Sequence, residues 1–94
     1  MQAWLASPYR AVGIYVGGVN RGCANGGLTG AWVGAVQALG WSLLPLFFGR
    51  QAPCVGGTRL AKIDAAAAAS EGVQDADDAA ARAAAVGIGP GNPI

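Results

Sequence analysis

Two short stretches of the chain lack any charged residue and are apolar almost throughout. The first, AVGIYV (11–16), holds Val, Ile and Tyr and is closed by Gly17-Gly18. That composition predicts a buried strand. The second, SLLPLFF (42–48), predicts another. Its Pro45 cannot donate to a ladder, which favours a bulge or an edge position.

Between the strands the spacing of apolar residues changes. Thr29 is a candidate N-cap, after which Trp32, Val33, Val36 and Leu39 recur at helical intervals up to Gly40, a fitting C′ stop. Residues 1–7 read as the end of a helix closed by Pro8, and 49–63 as a long loop. The stretch from Asp64 is Ala-rich, and alanine is the strongest helix former. Gly72 is expected to split it into a weak segment and a firm helix over about 74–86. Asp75, Asp77 and Asp78 would then lie in the first turn, complementing the helix dipole. Asp78 and Arg82 form an i,i+4 pair, and Gly87 ends the helix.

The order is α-β-α-β-α, and Ile94 reads as the first residue of a further buried strand. Strands without a polar face are expected to be covered on both sides. Strand–helix alternation implies parallel pairing with right-handed crossovers. The expected fold class is α/β, a partial TIM-type (β/α) barrel, with residues 1–94 forming one incomplete domain.

Composition sharpens this picture. Hydrophobic residues make up 53% of the 94 and charged residues 12%, against about 25% charged in an average soluble domain. Part of the apolar surface is therefore expected to lack a partner within these residues. Net charge is +1 and the six basic residues are scattered, which argues against a nucleic-acid partner. No apolar run reaches the roughly 18–20 residues of a membrane helix. The first ten residues lack the basic-then-apolar order of a signal peptide. Histidine is absent, which removes Ser-His-Asp and Cys-His catalysis and the usual zinc sites. No metal or cofactor is expected.

In α/β folds, ligands gather at the C-terminal ends of the parallel strands. Here those ends read YVGGVNRGC and FFGRQAPC. The candidates are Tyr15, Asn20 and Arg21 on the first, and Phe47, Arg50 and Gln51 on the second. Aromatic faces beside amide and guanidinium donors suit a sugar or another polar polymer. Tyr15 and Phe47 also read as core residues, and Asn20 and Arg21 as loop formers. The Gly-rich loop does not spell a phosphate site, since Cys23 stands where a P-loop carries Lys and Val19 interrupts a dinucleotide fingerprint. The acids Glu71, Asp75, Asp77 and Asp78 sit at a helix start rather than a strand end, so capping explains them better than catalysis does. Cys23 and Cys54 each follow a strand at the same end of the sheet. Loops leaving strands about 4.8 Å apart can reach disulfide distance. A disulfide is the expectation, implying an oxidising compartment, and two buried free thiols are the alternative.

Several phrases taken together, AWLASPYRAVGIYVGGVNR, LTGAWV, GWSLLPLFFGRQAPC and DADDAAARAAAVGIGPGNPI, resemble the glycoside-hydrolase-like domain of unknown function found in secreted actinobacterial proteins. That family is related in fold to the family-25 lysozymes. The resemblance covers nearly the whole chain, weakest over 55–70, and corresponds to the second and third β/α units of a TIM-type barrel. It implies a secreted or cell-surface protein that acts on, or binds, a cell-wall polysaccharide such as peptidoglycan. In the lysozyme-like relatives the acids that do the glycosidic chemistry lie on strands before and after this stretch. These residues alone are therefore expected to be inactive, with no catalytic residue among them and with Tyr15, Asn20, Arg21 and Gln51 as substrate contacts. The family usually has Tyr where Phe47 stands and an apolar residue where Arg50 stands. A third family cysteine lies outside these residues, which leaves the Cys23–Cys54 pairing open. Two other functions fit the residues: carbohydrate or cell-wall binding without turnover, and assembly through unpaired strand edges joined to another chain.

Overall fold

A computed structural model describes all 94 residues. A 3₁₀ turn over Gln2–Ala6 leads into strand β1 (Ala11–Gly17), helix α1 (Gly30–Ala38) and strand β2 (Ser42–Phe47). A long loop and a second 3₁₀ turn (Ala65–Ala67) precede helix α2 (Ala68–Ala85). The strands pair in parallel, with Ala11 opposite Ser42 and Tyr15 opposite Leu46. The fold is α/β as the alternation predicts. It is a two-stranded β/α arrangement and does not close into a barrel. The first element is a 3₁₀ turn rather than an α-helix. Ile94 is 49% exposed and begins no strand.

Local chemistry sets the helix ends. Thr29 caps α1, its hydroxyl accepting from the Trp32 N–H at 3.1 Å. Both helices then close in the same way. Gly40 and Gly87 adopt φ +85° and +84°, a left-handed conformation that glycine adopts without a Cβ clash. The N–H of Gly40 donates to Gln37 O and that of Trp41 to Val36 O. Gly87 and Ile88 repeat the pattern on Ala84 O and Ala83 O. This is the Schellman motif, in which the residue after the glycine packs back on the last turn. Trp41 and Val36 are both buried, as are Ile88 and Ala83.

Helix α2 differs from its prediction. It runs unbroken through Gly72, so Asp75, Asp77 and Asp78 lie in its interior rather than its first turn. Asp64 opens the segment instead: its carboxylate accepts from the Ala66 N–H, while Glu71 accepts from the N–H of Asp64. A helix that starts four residues ahead of Gly72 and is rich in alanine carries one glycine, which costs only about 1 kcal/mol.

The core is one layer. Ile14 and Val16 of β1 meet Val33 of α1 and Ala83 of α2, joined by Val86 and Ile88, with Leu28, Trp32 and Leu43 at the margin. Both helices therefore lie on one face of the sheet. The other face, with Gly13 and Tyr15 on β1 and Leu44 on β2, is exposed. Cover on both faces was the expectation. The crossovers bring both helices to the same side, and nothing lies on the other. Pro45 sits on β2, an edge strand, where a missing ladder donor is tolerated. The pairing slips by one residue between Tyr15 and Gly17, on β1 rather than at the proline.

Candidate functional site

The loops that leave β1 and β2 are tied together at their bases. The Asn20 amide donates to Gly49 O at 2.7 Å and Ala61 O at 2.9 Å, and its oxygen accepts from the Ala61 N–H at 2.7 Å. Both amide hydrogens are thereby used. Gln51 closes the neck of the second loop, its N–H donating to Ala61 O and its carbonyl accepting from Ile63. Its side-chain amide donates to Gly49 O at 3.0 Å. Asn20 and Gln51 were candidates for substrate contact, and here their amides hold backbone.

Arg50 belongs to the same scaffold. Its guanidinium pairs with Asp75 at 2.6 Å, its backbone N–H donates to the other oxygen of that carboxylate at 2.9 Å, and it donates further to Glu71 O and Gln74 Oε1. The end of β2 is thus clamped to the second turn of α2. The approach is close: a Cβ on Gly49 would lie 2.7 Å from Asp75 Oδ2.

Beside β1 lies a cavity of about 460 Å³, walled by Tyr15, Arg21, Gly22, Cys23, Asn25 and Phe48 with backbone from Gly13 and Ile14. The Tyr15 ring is half exposed. Arg21 is steadied by a 3.3 Å hydrogen bond from its Nη1 to Val16 O. Of the six residues read from the sequence, this cavity brings together Tyr15 and Arg21. Phe47 instead lines a shallow depression with Asp75 and Ala79. Phe48 and Asn25 were missed. The signal for Phe48 was its period-two relation to Leu44 and Leu46, which places it on the Tyr15 face once Tyr15 is known to oppose Leu46. Nothing local distinguishes Asn25 from other loop-forming polar residues.

No carboxylate lines the cavity. The five acids all fall on α2 or its approach: Asp64 caps, Glu71 and Asp75 meet Arg50, Asp78 meets Arg82 at 3.1 Å, and Asp77 is exposed. Cys23 and Cys54, expected to bridge, are both free and both exposed. No helix is long and apolar enough to cross a membrane.

A family model for the Rv2525c-like, glycoside hydrolase-like domain matches residues 2–94. No curated protein and no solved structure matches the chain.

Proposed function

The chain belongs to the Rv2525c-like, glycoside hydrolase-like family, and from that premise we propose that it binds a cell-wall polysaccharide of the peptidoglycan class through the Tyr15–Arg21 cavity, as an exported protein. The reading rests on the make-up of that cavity: an exposed phenol ring, a guanidinium and an amide, without a carboxylate. A pyranose offers an apolar C–H face to an aromatic ring and hydroxyls to N–H donors. A polymer that also carries carboxylates gives Arg21 a charged partner. These residues hold the glycan-contacting part of a hydrolase-like domain and do not cut the bond themselves. Hydrolysis needs two carboxyl groups about 5–10 Å apart flanking the bond, and every acid here lies on α2 or on the turn that leads into it, away from the cavity lining.

Co-sedimentation with purified peptidoglycan tests the reading. Binding is expected, weakened about tenfold or more by Tyr15→Ala or Arg21→Ala, a loss of about 1.4 kcal/mol each. Tyr9→Ala, at the other end of β1, is expected to leave it unchanged. Failure of the wild-type chain to sediment would sink the binding reading. New reducing ends released by the purified chain would sink the non-hydrolytic part.

The free outer edges of both strands favour a second reading, self-association by strand pairing. Concentration-dependent sedimentation velocity, abolished by a proline on the outer edge of β1, would bring it forward.

A further inference from the structure

We propose that the N-terminal end of the sheet carries a second binding site, for a small neutral ring compound that bears a carbonyl oxygen. A cavity of about 280 Å³ lies there, lined by Trp4, Ser7, Tyr9, Ala11, Val12 and Trp41. It shares no lining residue with the Tyr15–Arg21 cavity. Ala11 opens β1 and Trp41 stands just before β2.

Two polar atoms single this cavity out. Trp41 Nε1 and Ser7 Oγ are the two side-chain polar atoms of the chain that are closed to solvent and have no hydrogen-bond partner. Both residues belong to this one lining. Buried indole N–H groups and hydroxyls ordinarily find a partner. One left unmade costs free energy, which an incoming acceptor recovers. Trp41 is 6% exposed, and its place is set by the closure of α1, where its backbone N–H donates to Val36 O.

These atoms fix the polar end of the ligand. An indole N–H donates and cannot accept, so the group it meets must be an acceptor. The Ser7 hydroxyl does either, which admits a ketone or an amide. The rest of the lining fixes the body. Three aromatic rings, with Ala11 and Val12, favour a flat apolar surface, and no charged side chain is present to hold an ion. An apolar cavity of about 150 Å³ takes benzene, so this one has room for two fused rings. A pyranose would leave most of its hydroxyls unpaired against such walls, which separates this ligand from the glycan of the other cavity.

Access comes through the first 3₁₀ turn, whose Trp4 forms one wall. No residue of Gln2–Ala6 is buried. The hydrogen bonds made by residues 1–9 all stay within residues 1–10: Trp4 to Met1, Ser7 to Trp4, and the Arg10 guanidinium to the carbonyls of Leu5, Ser7 and Tyr9. The turn can therefore shift to admit a ligand to the two closed polar atoms without breaking a hydrogen bond to the sheet.

Titration of the whole chain with indanone, followed by proton–nitrogen correlation spectra of the indole N–H groups, tests the site. Indane, the same two rings without the oxygen, is the reference compound. Indanone is expected to saturate the site and to bind about tenfold more tightly than indane. It should move the Trp41 indole signal downfield, as a new hydrogen bond does, and leave that of Trp32, on α1, in place. Trp41→Phe identifies the signal by its loss. In that variant the preference for indanone over indane should vanish while both compounds still bind. The wild-type spectra decide the matter even if that variant does not fold. Equal affinity for the two compounds, an unmoved Trp41 signal, or no saturation by indanone would each overturn the proposal. None of these readouts needs a glycan or the Tyr15–Arg21 cavity, so the outcome is independent of the polysaccharide reading.

Discussion

The side-chain amide of Asn20 joins backbone groups 29 and 41 residues away. Asn20→Ala removes three hydrogen bonds and leaves the Ala61 N–H without its acceptor. At about 0.5–1.5 kcal/mol each, the loss is expected to be about 2–3 kcal/mol, lowering the melting temperature by roughly 10 °C or more. Asn20→Asp should fare no better, because a carboxylate cannot donate and would face two carbonyl oxygens. Thermal melts of the two variants decide the matter: a residue that only touched ligand would leave the unliganded melting temperature unchanged. The sequence offered both roles for Asn20 and could not choose between them, since its partners are distant in the chain. Tyr15 and Arg21 were legible because they follow directly from the end of one strand. Arg50 was legible as a polar group at a strand end. Its engagement with Asp75 was not, because that pair joins residues 25 apart in the chain and forms only once α2 has docked on the sheet.

The elements were legible wherever their ends are written locally. Thr29, Gly40 and Gly87 each act through neighbours within five residues, and all three mark the boundaries expected of them. The start of α2 is written over a longer span. The Glu71 carboxylate accepts from the Asp64 N–H seven residues away, well beyond the three-residue spacing of a capping box. The two helix glycines should consequently respond in opposite directions to the same substitution. Gly72 lies in a continuous helix, and a Cβ there would meet nothing within 4 Å. Gly72→Ala is expected to stabilise the chain by about 0.5–1 kcal/mol. Gly87 has φ +84°, so Gly87→Ala should destabilise it by about 1–2 kcal/mol. Urea unfolding of the pair measures both signs.

At the scale of the whole molecule the core is thin. Twelve of 94 residues are buried. The radius of gyration is 15.3 Å, where a compact chain of this length would have about 12 Å. The sheet is covered on one face only. Calorimetry is therefore expected to show a shallow transition with an enthalpy well below the roughly 0.7 kcal/mol per residue of ordinary domains. The open face should bind a hydrophobic dye. Leu44→Ser, at a position 50% exposed, is expected to lower dye binding without lowering stability. A sharp monomeric transition of full enthalpy would contradict this account. The strands' doubly apolar composition was plain in the sequence. Which face would stay uncovered depended on where the crossovers put the helices, and composition carries no sign of that.

The repeated closure of α1 at Gly40-Trp41 and of α2 at Gly87-Ile88 bears on how such a chain tolerates changes in length. Each helix carries its own stop and fastens it with the next apolar residue. The position of that end does not depend on what happens at the opposite end of the sheet. The loops leaving β1 and β2 can then lengthen or shorten beyond their Asn20–Ala61 junction without shifting either helix terminus. A long excursion such as 52–60 is thereby grafted onto the unit at little cost to the rest, and loops of other lengths could be exchanged there in the same way.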